Sequence, residues 1–394
     1  MIKKISVAEL KIGMFIHSLG VNWLAHNFIT SSFLIENMEI LQKLRATKIK
    51  EVLIDTEKGA DIEIKSKEKL SNASETVNIP PPRTIKTVSN EEETKIAKKI
   101  VNQANVVMKQ IMTDIRLGKQ VEIEALEPMA DKMIASIERN KDTLISLARM
   151  KTKDDYTFMH SVSVSGLMIA FARSNGMDEA SIREVAVGGL LHDIGKMITP
   201  NEILNKPGKL TDDEFVIMRN HVIESRSLLQ DRTDLTQNIQ DVIYQHHEKI
   251  DGSGYPLKLK AEQISTVGKM SAIVDIYDAL TSIRVYKTAW EPSVTLKKMM
   301  QWTDNHLDKE QMVRFIRCLG IYPVGTLVEM DSGRIGIVLD QHEGNLIRPK
   351  VKFIFRKNSG YMLPKVVDLS KEQNDKIINS VAPETYGIDL SNFI

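Results

Sequence analysis

Two periods of hydrophobicity alternate along this chain, and the changes between them mark its units. Near the N-terminus the apolar runs are short. Ile5-Ser6-Val7 and Met14-Phe15-Ile16 predict strands, with Gly13 as the turn before the second, and Glu51-Val52-Leu53-Ile54-Asp55 predicts a third. Between them, Met38, Ile40, Leu41 and Leu44 have helical spacing over 36–46. Trp23 and Phe28 are candidate anchors of a small core. Residues 1–65 therefore read as a small α+β domain. About 60 residues is marginal for independent stability, so this unit is expected to pack on another domain or another chain.

A linker is expected over 66–90, where Pro80-Pro81-Pro82 imposes a stiff extended stretch. Ser89-Asn90 followed by Glu92 and Glu93 then signals a helix start. Ile96, Ile100, Ala104, Met108, Ile111 and Ile115 form one apolar stripe over 91–116, closed by Gly118. Leu126, Met129, Met133 and Ile137 mark a second helix ending near 139. This pair, 91–140, is either a helical lead-in to the next domain or a dimerisation hairpin, so a homodimer is one expectation.

From 141 to 320 the pattern is almost wholly helical. The segments are Tyr156–Ala172, Asp178–Leu191, Asp212–Leu229, Thr236–His247, Ser265–Ile283 and Pro292–Leu319. Thr211 with Glu214 makes a capping box. After Gly320 the period shortens again. Gly325–Met330, Arg334–Leu339 and Lys350–Phe355 predict strands, with Ser332-Gly333 as a turn. Residues 321–394 read as a small β appendage with a short helix near 371–380. The expected fold class is mainly α, with a small α+β N-terminal domain and this β-rich C-terminus.

Composition changes this picture at one point. An apolar fraction of 42% supports sizeable cores, and a net charge of +1 offers no surface for a nucleic-acid polymer. The single cysteine, Cys318, excludes an internal disulfide and weakens any thiolate-based metal site. The N-terminus lacks a signal-peptide core and no apolar run is long enough for a membrane span, so a cytoplasmic protein is expected. The exception is histidine: five of the nine lie between 160 and 247.

Those histidines carry the chemistry. His192 and Asp193 sit in an apolar run that begins at Val185. A carboxylate beside an imidazole in such a setting is costly unless compensated. His160, His221, His246 and His247 lie within one domain's reach, and Asp275 interrupts a second apolar run. A shared metal centre compensates them all. Neighbours on a helix point about 100° apart, so His192 and Asp193 can converge only near a helix end. One ion cannot use seven protein ligands and stay open for catalysis, whereas two ions sharing Asp193 can. Imidazole with carboxylate suits Fe, Mn, Zn or Ni over Ca or Mg. Taken singly, each histidine could be a hydrogen-bonded core residue and Asp275 a buried carboxylate paired with arginine. Lys196 is either a solvated helix-end cation or a fixed charge that stabilises a phosphorane or protonates a leaving oxygen. Arg284 and Lys287 are surface cations, or phosphate contacts if their helix end faces the metals. The loop Asp251-Gly252-Ser253-Gly254-Tyr255-Pro256 allows a close-approach turn but is no P-loop.

These residues resemble the HD metal-dependent phosphohydrolase superfamily. His192-Asp193-Ile194-Gly195-Lys196, His246-His247-Glu248 with the loop through Tyr255-Pro256, and Asp275–Leu280 look like its HD-GYP subfamily, which hydrolyses cyclic di-GMP. Residues 1–65, with Gly13-Met14-Phe15 and Trp23, resemble a small domain of unknown function that precedes some HD-GYP domains. The resemblance implies that His160, His192, Asp193 and Asp275 hold one metal, and that His221, His246 and His247 hold the other, with Asp193 bridging. It implies roles for Lys196 at the scissile phosphate and for Arg284, Lys287 and Tyr255 around the substrate. Some members carry a glutamate four residues before the first histidine, serving a third metal. Here that position is Tyr156, which implies two divalent ions, Fe or Mn. Where the family usually has Arg-Pro, Val285 follows Arg284.

The expected activity is hydrolysis of cyclic di-GMP to pGpG by a di-metal-activated hydroxide, with further cleavage to GMP left open. The alternatives are a hydrolase of another cyclic dinucleotide, such as 3′,3′-cyclic GMP-AMP, and a weakly active cyclic-dinucleotide receptor. The N-terminal domain is expected to regulate access to the site, and the Gly-Tyr-Pro loop to meet a signalling partner.

Overall fold

In a computed structural model of the chain, the described residues are 2–7, 10–18, 33–35, 37–45, 51–56, 58–60, 90–149, 156–282, 289–342, 345–372, 374–390 and 393. They form two compact units, Met1–Pro82 and Arg83–Ile394. Trp23, Phe28, Arg284, Lys287 and the expected linker up to residue 89 lie outside the described residues.

The first unit is an antiparallel sheet with one helix. Strands β1 (Ile2–Ser6), β2 (Phe15–Ser18), β3 (Phe33–Leu34) and β4 (Glu51–Asp55) lie in the order β1-β4-β2-β3, and α1 is Met38–Arg45. β1 pairs with β4 in the register Ile5↔Val52. Ile5, Ile16, Val52 and Ile54 pack under Leu41 and Leu44 of the helix. The alternation in each strand and the stripe of α1 meet in one small core.

The second unit is built around the helices α2 (Asn90–Arg116), α3 (Glu127–Arg139), α4 (Lys141–Arg149), α5 (Tyr156–Ser174), α6 (Glu179–Leu191), α7 (Asn201–Leu204), α8 (Asp212–Arg219), α9 (His221–Leu229), α10 (Gln237–Gln245), α11 (Thr266–Thr281), α12 (Pro292–Met300) and α13 (Lys309–Leu319). Buried residues of α2 and α3, such as Met108 and Met133, belong to the same apolar core as Phe171, Leu190, Ile273 and Phe315. Starts are set by side-chain caps: Asp178, Thr211, Thr236, Ser265 and Asp308 each accept a backbone N–H of the first turn. Thr211 and Glu214 form the expected capping box.

Two expected long helices are each broken. Asp212–Leu229 divides at Asn220 into α8 and α9, and Pro292–Leu319 divides into α12 and α13. The apolar spacing continues through the first break, from Met218 to Val222, so the pattern hides it; at the second, the polar run Thr303–His306 and the cap Asp308 mark the interruption. The first break places His221 at the start of α9, facing the site described below.

The C-terminal sheet is antiparallel, in the order β8-β7-β6-β5-β9, from β5 (Leu327–Met330), β6 (Arg334–Asp340), β7 (Lys350–Arg356), β8 (Gly360–Asp368) and β9 (Ile377–Ser380). One face buries Leu327, Ile335 and Ile354, and the other buries Val328, Val338 and Phe353. The helix expected near 371–380 is absent, because Ile377–Ser380 form β9 and pair with β5 in the register Val328↔Ser380. Cross-strand pairing overrides a weak local preference there. Strand β8 was not expected either. It is an edge strand whose burial follows no clean alternation, with Leu363 90% exposed and Pro364 at a position that only an edge tolerates.

Candidate metal centre

The site forms where the C-terminal ends of α6 and α10 and the start of α9 meet α5 and α11. α6 ends at Leu191, and His192 caps it in helical conformation. Asp193 then leaves the helix at φ −106°, ψ 10° and starts a short 3₁₀ turn, Ile194–Met197. The change of conformation turns two adjacent side chains toward one point. Two glycines allow the approach. A Cβ on Gly189 would lie 2.7 Å from the Ser165 backbone, so α5 and α6 cross closely and bring His160 beside His192. A Cβ on Gly195 would lie 1.9 Å from the carbonyl of His221, so the 3₁₀ turn can rest on the start of α9.

All seven expected ligands converge. His160, His192 and Asp275 form one group, and Asp193, His221, His246 and His247 form a second. His160, His192, Asp193, His221 and His246 are almost fully buried, at 2% exposure or less. Asp193 faces both groups. Its Oδ2 lies 3.3 Å from His192 Nε2 and 3.5 Å from His160 Nε2, and its Oδ1 lies 3.4 Å from His221 Nε2 and 3.8 Å from His246 Nε2. Asp275 also spans the two, with Oδ1 at 3.0 Å from His160 Nε2 and Oδ2 at 3.7 Å from His247 Nδ1.

Helix-end geometry fixes the ring nitrogens. His192, His221 and His246 each donate Nδ1–H to the carbonyl three residues back, on Gly189, Met218 and Ile243, at 2.7–2.8 Å. A carbonyl only accepts, so each Nδ1 carries a proton, and in the neutral imidazole Nε2 is left bare toward the centre. The His221 and His246 Nε2 atoms face each other at 3.4 Å. Asp193 Oδ1 faces both, is buried, and has no hydrogen-bond partner. Three lone pairs thus converge on one point with no donor among them, which is unfavourable without a cation. Two imidazole nitrogens bound to one tetrahedral ion at about 2.0–2.1 Å are about 3.3–3.4 Å apart, so the spacing fits a shared metal. His160 and His192 repeat the arrangement at 3.3 Å. This donor set fits divalent metal binding.

Electrostatics prepare the site. Burial pushes His221 down to about 4 and His247 down to about 3, and drives His246 well below the usual imidazole value. Burial also opposes a charge on His192, but the carboxylates of Asp193 and Asp275 outweigh it and raise its pKa. Asp193 stays well below the usual carboxylate range despite burial, held there by His192 and Lys196; His160 and His247 do the same for Asp275. At pH 6.5 His221, His246 and His247 of the metal-free protein are therefore neutral, whereas the raised pKa of His192 favours its protonated form. Binding of Mn²⁺ at that pH is expected to displace a proton from His192 and none from the other three. Calorimetric titration in buffers of different ionisation enthalpy counts these protons, and three or more per chain would contradict the assignment.

The structure adds two residues that the sequence reading did not single out. Asp278, one turn beyond Asp275 and fully buried, accepts His160 Nδ1–H at 2.6 Å and the Ser163 hydroxyl at 2.5 Å. It does for His160 what backbone carbonyls do for the others, and its i+3 spacing from Asp275 was the available signal. A carboxylate that orients a metal-binding imidazole typically contributes 10–100-fold in metal affinity. Asp278→Asn is expected to weaken retention of one ion by about that factor, read by metal content across a chelator series. The second is Glu248, 2% exposed, which accepts the backbone N–H groups of Leu257 and Leu259 at 2.7 and 2.9 Å. This clamp holds the loop so that the Tyr255 ring lies 4.7 Å from the His247 ring.

Lys196 is no solvated helix-end cation: its ammonium lies 2.5 Å from Asp193 Oδ2 and its side chain is 22% exposed. The Tyr156 backbone opens α5, and its side chain lies outside the described residues. Among the described residues no helix is long and apolar enough to cross a membrane.

Fold and site together define a helical hydrolase domain with a buried histidine–aspartate metal centre. Comparison with known proteins gives the family. The HD domain family matches residues 131–310, and a domain of unknown function, DUF3391, matches 2–126, extending beyond the first compact unit through α2 and ending before α3. The cyclic di-GMP phosphodiesterase PA4108 of Pseudomonas aeruginosa is 40% identical over 98% of this chain and 94% of its own length. The cyclic di-GMP phosphodiesterase response regulator RpfG of Xanthomonas campestris is 36% identical over 43% of this chain and 46% of its own length. The 3′3′-cGAMP-specific phosphodiesterase 2 of Vibrio cholerae is 32% identical over 45% of this chain and 34% of its own length. The chain belongs to the HD-GYP family of HD-domain phosphodiesterases, with a DUF3391 domain at its N-terminus.

Proposed function

We propose that this protein is a cyclic di-GMP phosphodiesterase that opens its substrate to pGpG at a centre of two divalent metal ions. The observation that carries the reading is the Asp193 carboxylate, whose two oxygens face two separate groups of bare imidazole nitrogens. His160, His192, Asp275 and Asp193 Oδ2 would hold one ion, and His221, His246, His247 and Asp193 Oδ1 the other. Imidazole with carboxylate suits Fe, Mn, Zn or Ni, and the family resemblance favours Fe or Mn among them. Bound there, the ions would supply Lewis acidity at the phosphoryl oxygens and an activated water.

The chain's own residues do the rest. Lys196, kept at the site by Asp193, places a positive charge where the pentacoordinate phosphorus becomes more negative, and it is the proton source for the leaving 3′-oxygen. Tyr255 lies against His247, the most open ligand at 23% side-chain exposure, and forms one wall of the entrance. Arg284 and Lys287 contact substrate phosphates in this reading, on the strength of the family motif alone. The substrate is supported by the near full-length similarity to PA4108. The N-terminal unit regulates access to the centre, and the protein works in the cytoplasm.

A second reading keeps the chemistry and changes the substrate to 3′,3′-cyclic GMP-AMP. The similarity of the same region to a Vibrio cholerae enzyme of that specificity favours it. Parallel turnover of the two cyclic dinucleotides by one Mn²⁺-loaded preparation separates them. Cyclic di-GMP is expected to have the higher kcat/KM, and a preference for the mixed dinucleotide would replace the proposed substrate.

A further inference from the structure

An arginine stands at the entrance beside two aromatic rings. Arg219, the last residue of α8, makes no ion pair among the described residues and is exposed. Its guanidinium lies 4.4 Å from the centre of the Phe215 ring and 5.0 Å from that of Tyr255. Tyr255 in turn lies 4.7 Å from the His247 ring and 6.4 Å from the His221 ring. The order Phe215, Arg219, Tyr255, His247 runs from the surface to the metal centre.

The outer end of this row exposes apolar surface. Phe215 leaves 44% of its surface in water, and Val216, Ile217 and Leu257 nearby in sequence are also exposed. Both rings lie within cation–π distance of the guanidinium and use none of its N–H groups as conventional hydrogen-bond acceptors, which leaves its N–H donors for a planar oxyanion. Tyr255 is itself held by the Glu248 clamp, so the second ring is fixed from behind. Most exposed arginines are mobile and gain little from a partner. Arg219 is instead held by two elements, one tyrosine ring from a proposed ligand. Such a pre-ordered fork matches a phosphate bidentately at a small entropy cost.

A cyclic dinucleotide carries two phosphodiesters on one rigid ring. When one is at the metals, the other must be placed elsewhere, and its charge needs a partner. We propose that Arg219 binds the substrate phosphate that is not being cleaved. This rests on the dinucleotide reading above and adds a residue to it. The contact would favour a substrate with two phosphates over one with a single diester.

The test compares cyclic di-GMP with bis(p-nitrophenyl) phosphate, which has one phosphodiester, on Mn²⁺-loaded wild type, Arg219→Ala and Arg219→Lys. Arg219→Ala is expected to raise KM for cyclic di-GMP about tenfold or more, and to lose at least tenfold more kcat/KM on it than on the single diester. Arg219→Lys should recover part of the loss. Calorimetric affinity for a phosphorothioate analogue of cyclic di-GMP should fall in parallel. Equal losses on both substrates, or a KM equal to wild type, would overturn the proposal and make Arg219 a support of the loop. A wild type that retains its metals, cleaves the single diester and ignores cyclic di-GMP would fail at the dinucleotide reading and take this contact with it.

Discussion

Asp193→Ala is expected to lose both metal ions together and to reduce turnover by well over a thousandfold. The geometry sets this apart from other ligand losses. Asp193 Oδ2 lies among His160 and His192, and Oδ1 among His221 and His246, so one substitution removes a donor from each group. It also frees Lys196, whose ammonium is held at 2.5 Å by the same carboxylate. Loss of one preorganised electrostatic group commonly costs about 10²–10³-fold, and here several go at once. His160→Ala is the contrast. It touches one group only and is expected to weaken one ion while the second remains. Metal content of the two variants reads the difference, and retention of both ions in Asp193→Ala would show that the carboxylate does not bridge.

The second large effect belongs to Lys196. Lys196→Ala is expected to lower kcat by about 10²–10³-fold with a small change in KM, since its charge matters most as negative charge gathers in the transition state. Metal content should stay near that of the wild type. A variant that loses metal along with activity would mean that the lysine acts by holding Asp193 in place. Lys196→Arg keeps the charge but not the compact ammonium, and should restore only part of kcat.

The centre was legible from sequence because its residues break strong patterns. A charged pair inside an apolar run, and a second carboxylate inside another, stand out against a helical core that otherwise excludes them. The adjacency of His192 and Asp193 even carried a geometric requirement, a helix end, and α6 ends at Leu191. Asp278 was harder to read: its i+3 spacing from Asp275 puts it near the same face of α11, but its partner His160 lies on α5 and only the crossing of the two helices brings them together. Arg219 was hidden for the same reason: its meaning comes from Tyr255, which lies 36 positions later and reaches it only through the fold.

The fold followed the same division. Caps written in sequence, such as Thr211 with Glu214, set helix starts well. Breaks inside a continuous apolar stripe, as at Asn220, carried no such mark. Strand β9 depends on its partner β5, and β8 on its place at a sheet edge, so neither was visible in a local window.

The most direct measurement is made on one anaerobic preparation of the full chain, assayed for metal content and for the product formed from cyclic di-GMP. Two divalent ions per chain and conversion to pGpG are expected. Two retained ions with cyclic di-GMP left intact, or turnover by protein that holds only one, would contradict the account.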